Sequence, residues 1–239
     1  MNRNLFFKGI SDGFPICLGY LSVAFAFGIF AVGNGLTVWE SVLISMTNVT
    51  SAGQLAGVPI LAAGGSLLEM AASQLVINLR YALMSVSLSQ KLDASVTLPH
   101  RALIAFVNTD EVFAVASAQK GPVGRAYLYG LILPPFLGWS FGTFLGSVAG
   151  DILPSLLTCA LGIAIYGMFI AIVAPEVKRS RAVALCVLLA AGLSCLFRFL
   201  PFLTGVPSGF VIIVCAVVSS AVLAFAAPLD LTQEEETDA

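Results

Sequence analysis

Apolar runs of about twenty residues, parted by short polar or glycine-proline breaks, recur along the whole chain. A helix needs about 20 such residues to cross a bilayer core. The runs at 13–33, 39–58, 64–89, 126–150, 153–175, 182–200 and 207–228 meet that length. They predict an all-α, polytopic integral membrane helical bundle of about seven spans. An eighth stretch, 102–118, is shorter and carries Asn108, Thr109, Asp110 and Glu111 near its centre, which predicts a re-entrant or broken element. Residues 1–12 form an N-terminal segment, 13–228 a single transmembrane domain, and 229–239 an acidic, disordered tail. The first apolar run continues to about Val32, too long for a signal-peptide core, and reads as a retained helix.

The pattern contains a faint repeat. "PICLGY" from Pro15 resembles "PPFLGW" from Pro134, and "LRY" from Leu79 resembles "FRF" from Phe197. Units 13–89 and 132–206, joined by a connector at 90–131, would then be inverted copies, as in many secondary transporters. Chance similarity between two apolar stretches is the other reading. Lysine and arginine do not orient the chain. Whether 102–118 crosses or re-enters, seven cations fall on one side and two on the other.

Composition sharpens the class. The chain is 59% hydrophobic and 10% charged, with mean hydropathy +0.99. A soluble domain carries about 25% charged residues, so this chain could not cover a soluble surface. No basic patch points to nucleic acid. The cysteines are odd in number, form no CxxC and sit in apolar runs, and there is one histidine, His100. They read as buried thiols, with no metal site and no cofactor. No P-loop, HExxH or GxSxG is present, so neither an enzyme nor an ATP-driven pump is expected.

Against this background the polar groups inside apolar runs stand out, since each costs energy in hydrocarbon and such residues mark pathways. "SMTNVTSAGQLAG", residues 45–57, gathers Thr47, Asn48, Thr50, Ser51 and Gln54 with Gly53 and Gly57, and Pro59 follows. Weak helix formers ahead of a proline predict a discontinuous helix whose free backbone ends could bind a zwitterion. The other reading is close helix packing by small residues. In 64–89, Ser66, Glu69, Ser73 and Arg80 share one helix face. Arg80 suits a substrate carboxylate or an interfacial anchor. Glu69 suits a coupling proton or a helix end near Gly64-Gly65. Asp110 and Glu111 are proton-coupling or gating candidates, or parts of a helix cap. Arg198 is a partner of Arg80 in the repeat or an interface anchor. Gly138, Gly142, Gly146 and Gly150 make a four-spaced stripe that suits a homo-oligomer contact or packing within the chain.

"SMTNVTSAGQLAG", then "INLRY" from Ile77, then "NTDE" from Asn108 resemble the AzlC family, large subunits of branched-chain amino-acid exporters. "GISDGFPICLGYLSVAFAFG" near the N-terminus is similar to the family's opening segment. The resemblance covers about residues 8–227 and is densest over 8–115. It implies export of leucine, isoleucine and valine, with methionine as a related substrate. It also implies a small membrane subunit of the AzlD type, coupling to the proton-motive force, and residence in a bacterial plasma membrane. The family's polar motifs fall on Thr50, Ser51, Gly53, Gln54, Asn78, Arg80 and Asp110. "AGQL" is more compact than in many relatives, and Tyr81 stands where relatives often have histidine.

The leading expectation is a secondary transporter that exports hydrophobic amino acids, with Asn48, Gln54 and Arg80 converging on one cavity to hold the zwitterion. A passive small-solute channel and an accessory membrane subunit without its own transport site are the alternatives.

Overall fold

In a computed structural model of the chain, residues 3–154, 167, 170, 173–175, 177–203 and 205–226 are described. The helices among them are α1 (Arg3–Gly33), α2 (Val38–Thr47), α3 (Ser51–Ala62), α4 (Leu67–Ser89), α5 (Leu98–Ala105), α6 (Asp110–Ser117), α7 (Arg125–Ile152), α8 (Arg181–Phe199) and α9 (Ser208–Ala226). The predicted span 153–175 falls mostly outside the described residues, and the acidic tail entirely so. Residues 3–12, read from sequence as a separate segment, are the first turns of α1. Asp12 ties them down by accepting from the Tyr127 hydroxyl at 2.7 Å.

Glycine builds the spine. Gly130 of α7 packs on Phe6 of α1, Gly138 on Cys17, Gly142 on Leu21, Gly146 on Phe25 and Gly150 on Ile29. Both numbers rise together, so the helices run parallel, backbone against backbone. The stripe therefore serves packing within the chain. It is not available as a homo-oligomer contact, because α1 covers it. The parallel course also corrects the repeat. The two Pro-x-x-Leu-Gly-aromatic strings lie side by side on parallel helices, whereas an inverted pair would run antiparallel.

The stretch 39–58 is not a continuous span. α2 descends from the Gly33 end of α1 and stops at Asn48 (φ −143°, ψ 85°). Thr50 then starts α3, its hydroxyl accepting from the Gly53 N–H at 3.4 Å. α3 turns back beside α2. Gln54 Nε2 donates to Ser45 Oγ at 2.9 Å, and Val58 returns to the cluster of Ala26, Phe27 and Ala31. A continuous helix would hold Ser45 and Gln54 about 13 Å apart. The break lies at Asn48–Thr50, while Gly53, Gly57 and Pro59 sit inside α3. Pro59 forgoes one intrahelical hydrogen bond there, which membrane helices tolerate where neighbouring groups satisfy the freed backbone, and the glycines admit α4. A Cβ on Gly53 would lie 2.6 Å from Gln74 Oε1.

After a turn at Gly64 (φ 68°), α4 runs antiparallel to α3 toward the Arg3 end. A second hairpin enters from that end. His100 of α5 meets the Tyr129 hydroxyl at 2.8 Å, and Phe106 reaches Phe136 deeper along α7. Thr109 restarts the chain as α6, which returns until Gln119 accepts from Lys8 Nζ at 2.7 Å. The stretch 102–118 is thus re-entrant. The order hairpin, then long helix occurs twice with opposite direction: α2–α3 with α4, and α5–α6 with α7. This is where an inverted relation exists.

α8, α7 (Arg125–Gly150), α1 and α9 are long and apolar enough to cross a bilayer. α4, with 23 residues, is long enough at about 34 Å, although its polar stripe makes it less apolar. Large apolar side chains point outward all round, with Leu67 89% and Phe225 90% exposed. Such a surface suits lipid and would aggregate in water.

Candidate functional site

The two hairpins bring their tips together. Thr50 begins α3 and Thr109 begins α6, and both half-helix N-termini border a cavity of about 670 Å³. The first N–H groups of a helix lack intrahelical acceptors and carry partial positive charge. Each tip therefore presents donors to the cavity. Ile16 and Val23 of α1, with Val49, line it with apolar surface, and Tyr20 and Trp139 form an aromatic wall, their rings edge to face at 5.1 Å.

Charge is concentrated at the α6 tip. Arg80 of α4 forms an ion pair with Asp110. It also donates to the Tyr81 hydroxyl at 3.1 Å. Glu111 accepts from the Tyr20 hydroxyl. At the α3 tip, Tyr81 donates to Thr50 Oγ1 at 3.3 Å, and Thr50 donates to Asn78 Oδ1 at 3.0 Å. Asn78 donates to Gln74 Oε1 at 3.1 Å, and Gln74 donates to the Gly53 carbonyl at 2.8 Å. This chain of bonds fixes the break by occupying polar groups that the interrupted helix leaves free. Two buried polar atoms in the cavity wall, Thr109 Oγ1 and Trp139 Nε1, have no partner among the described residues.

Arg80, Thr50, Ser51, Asp110 and Glu111 meet at the larger cavity. The expected convergence of Asn48, Gln54 and Arg80 does not occur. Asn48 and Asn78 line a smaller cavity of about 190 Å³, bordered also by Val49, Thr50 and Tyr81. Gln54 faces the spine, linked through Ser45 to Thr143 at 2.6 Å. The reason is the fold-back: a hairpin puts Gln54 beside α2, where a straight helix would have aimed it elsewhere. Gly53 is a packing position against α4.

Glu69 lies away from the cavity in the first turn of α4, buried, accepting from the Gly209 N–H at 2.8 Å. It ties α4 to the start of α9. Glu69→Ala is expected to cost about 1–3 kcal/mol by stranding that buried N–H, while leaving ligand affinity unchanged. Thermal unfolding in detergent with and without ligand checks this. Arg198 is exposed in the last turn of α8 and is not among the cavity's lining residues.

Tyr20 and Trp139 were missed as site residues, yet the sequence carried a signal for both. They occupy the aromatic position of the two similar strings. Parallel packing of α1 on α7 turns that similarity into one shared wall.

Residues 15–153 match the family model described as "AzlC protein". The chain belongs to the AzlC family. The matched region contains both hairpins and every residue named above as lining the larger cavity. Among relatives, "Inner membrane protein YgaZ" of Escherichia coli is 30% identical, covering 79% of this chain and 80% of its own. An "Uncharacterized membrane protein" of Archaeoglobus fulgidus is 35% identical, over 73% of this chain and 77% of its own. One of the same description from Helicobacter pylori is 27% identical over 61% and 66%. No solved structure matches. Membership of this family makes the chain a helical membrane protein of a transport-associated family, consistent with the outward apolar surface.

Proposed function

We propose that this AzlC-family chain is a secondary transporter that exports branched-chain and other hydrophobic amino acids. The observation that carries the reading is the cavity where two oppositely directed half-helices end. Such breaks supply backbone dipoles to charged solute groups near the midplane of transporters. The volume, about 670 Å³, falls within the roughly 300–1,000 Å³ of small-molecule sites. Arg80 and the α3 tip offer donors to a carboxylate. Asp110 and Glu111 offer acceptors to an ammonium. Ile16, Val23 and Val49 suit an aliphatic side chain. One methylene in an apolar pocket is worth about 1–3 kcal/mol, so broad acceptance of leucine, isoleucine, valine and methionine is expected.

Orientation follows from the hairpins. Lys8, Lys91, Arg101, Lys120 and Arg125 gather near the Arg3 end, where Lys8 meets Gln119 and Arg125 Nη1 lies 3.3 Å from His100. The positive-inside rule favours that end as cytoplasmic, in a bacterial plasma membrane. Energy would come from the proton-motive force, and a small AzlD-type subunit would complete the exporter.

Cells loaded with leucine- or valine-containing dipeptides test the reading. Cells making this chain, alone or with such a subunit, should release the freed labelled amino acid faster than cells lacking it. Equal release in every combination would overturn the proposal.

A further inference from the structure

We propose that the smaller cavity is a site for a monovalent alkali cation. The site stands without the transporter reading; only its coupling to substrate rests on that reading. The two hairpins sort their helix ends between the two cavities. The half-helix starts, at Thr50 before α3 and Thr109 before α6, border the larger cavity. The half-helix ends border the smaller one, through Thr47 and Asn48 at the end of α2 and Ala105 and Phe106 at the end of α5. Starts present N–H donors, whereas ends present carbonyl oxygens with partial negative charge. Such helix ends hold cations in transporters with broken helices.

The side chains carry the sorting further. The Thr47 hydroxyl donates to the Leu43 carbonyl at 2.7 Å. The Thr50 hydroxyl donates to Asn78 Oδ1 at 3.0 Å, and the Tyr81 hydroxyl to Thr50 Oγ1 at 3.3 Å. These hydroxyl hydrogens are committed within the protein, so the groups can meet a ligand only through oxygen lone pairs. Asn108 spends its Nδ2 on Ser85 Oγ at 3.3 Å. It is 3% exposed, and its Oδ1 has no partner among the described residues. A buried acceptor without a donor is costly, and a cation relieves it. No charged side chain lines the cavity among the described residues. Divalent ions draw on carboxylates, so neutral oxygens suit a single charge. The volume, about 190 Å³, admits the ion with several waters, each of about 30 Å³.

Thr50 carries the consequence to the larger cavity. It lines both cavities and caps α3, its hydroxyl accepting from the Gly53 N–H at 3.4 Å. A cation beside it adds positive charge at the α3 tip, the end that offers donors to a carboxylate. The ion should therefore raise leucine affinity, and leucine should raise that of the ion by the same factor.

Sodium-22 and rubidium-86 binding to the purified full chain in lipid nanodiscs tests the site. Leucine is left out, and choline holds the ionic strength constant. At least one of the two ions should bind saturably, one per chain. Asn108→Leu should remove that binding. Asn48→Asp adds a carboxylate to the wall and should tighten binding at least about fivefold, the Coulomb gain of one charge at about 4 Å in water-like surroundings. This second variant keeps the test decisive where Asn108→Leu fails to fold. Binding of neither ion, retention of binding by folded Asn108→Leu, or an affinity unmoved by Asn48→Asp would overturn the site. Labelled L-leucine then tests the coupling. Its affinity should rise at least about fivefold when the bound ion replaces choline. An unchanged affinity would overturn the coupling, and a fall would show the ion and the substrate ammonium competing for one cavity and overturn it too. Failure of leucine to bind in any salt would overturn the amino-acid reading and leave the cation site standing.

Discussion

Arg80→Ala is expected to lower leucine transport by about ten- to a hundredfold, the equivalent of one lost charge-assisted hydrogen bond of about 1.5–3 kcal/mol. Arg80 projects from mid-α4 to the α6 tip, pairs with Asp110 and lines the cavity. Its side chain and that of Asp110 are each 45% exposed, so their pairing contributes only about 0–1 kcal/mol to stability. Most of the loss should therefore appear in transport rather than in folded yield. The variant Arg80→Ala/Asp110→Ala separates the two contributions. Removing both partners should restore any lost stability and leave transport impaired. Recovery of transport in the double variant would assign Arg80 a structural role only. Measured together, thermal unfolding and initial export rate distinguish these results.

Gly146→Leu should abolish folded protein. A Cβ on Gly146 would sit 1.9 Å from the Phe25 carbonyl oxygen and 2.7 Å from its carbon. That neighbour is backbone in the middle of α1 and cannot rotate aside, so the helices must separate along the spine. Overpacking a core costs about 1–3 kcal/mol where side chains can yield, and here they cannot. Separation would also pull Tyr20 from Trp139 and open the cavity wall. Gly192→Leu on α8 is the control, since among the described residues nothing lies within 4 Å of its added Cβ. It should be tolerated and gain helix propensity of up to about 1 kcal/mol. Size-exclusion profiles of the two variants in detergent check the contrast.

Much of this architecture was legible in the chain, and its failures have physical causes. Apolar run length and scarce charge gave the helical membrane class. The polar stretch 45–57 announced a discontinuity, but glycine and proline pointed to the wrong residues for it. Asn48 and Thr50, a chain stop and an N-cap, mark the break. Gly53 and Gly57 are small because α4 approaches them, a tertiary demand that propensity does not register. A hairpin and a span have the same apolar length, and only cross-helix bonds such as Gln54 to Ser45 decide between them. That error placed Gln54 in the cavity, whereas the fold-back turns it to Ser45 and the spine. Arg80 and Asp110 were legible singly as costly groups in apolar runs. Their pairing was not, because it depends on α6 returning against α4. The glycine stripe was read correctly as a close-approach face, while the partner that fills it, α1, lay more than a hundred residues away in sequence.

Counterflow tests the account most directly. Vesicles containing the full chain, with and without a small partner subunit, would be preloaded with unlabelled leucine and given trace labelled leucine outside. A carrier that alternately exposes one cavity should accumulate label transiently above equilibrium, and Arg80→Ala should blunt that overshoot. Uptake of label at the same rate with or without preloading would contradict a carrier.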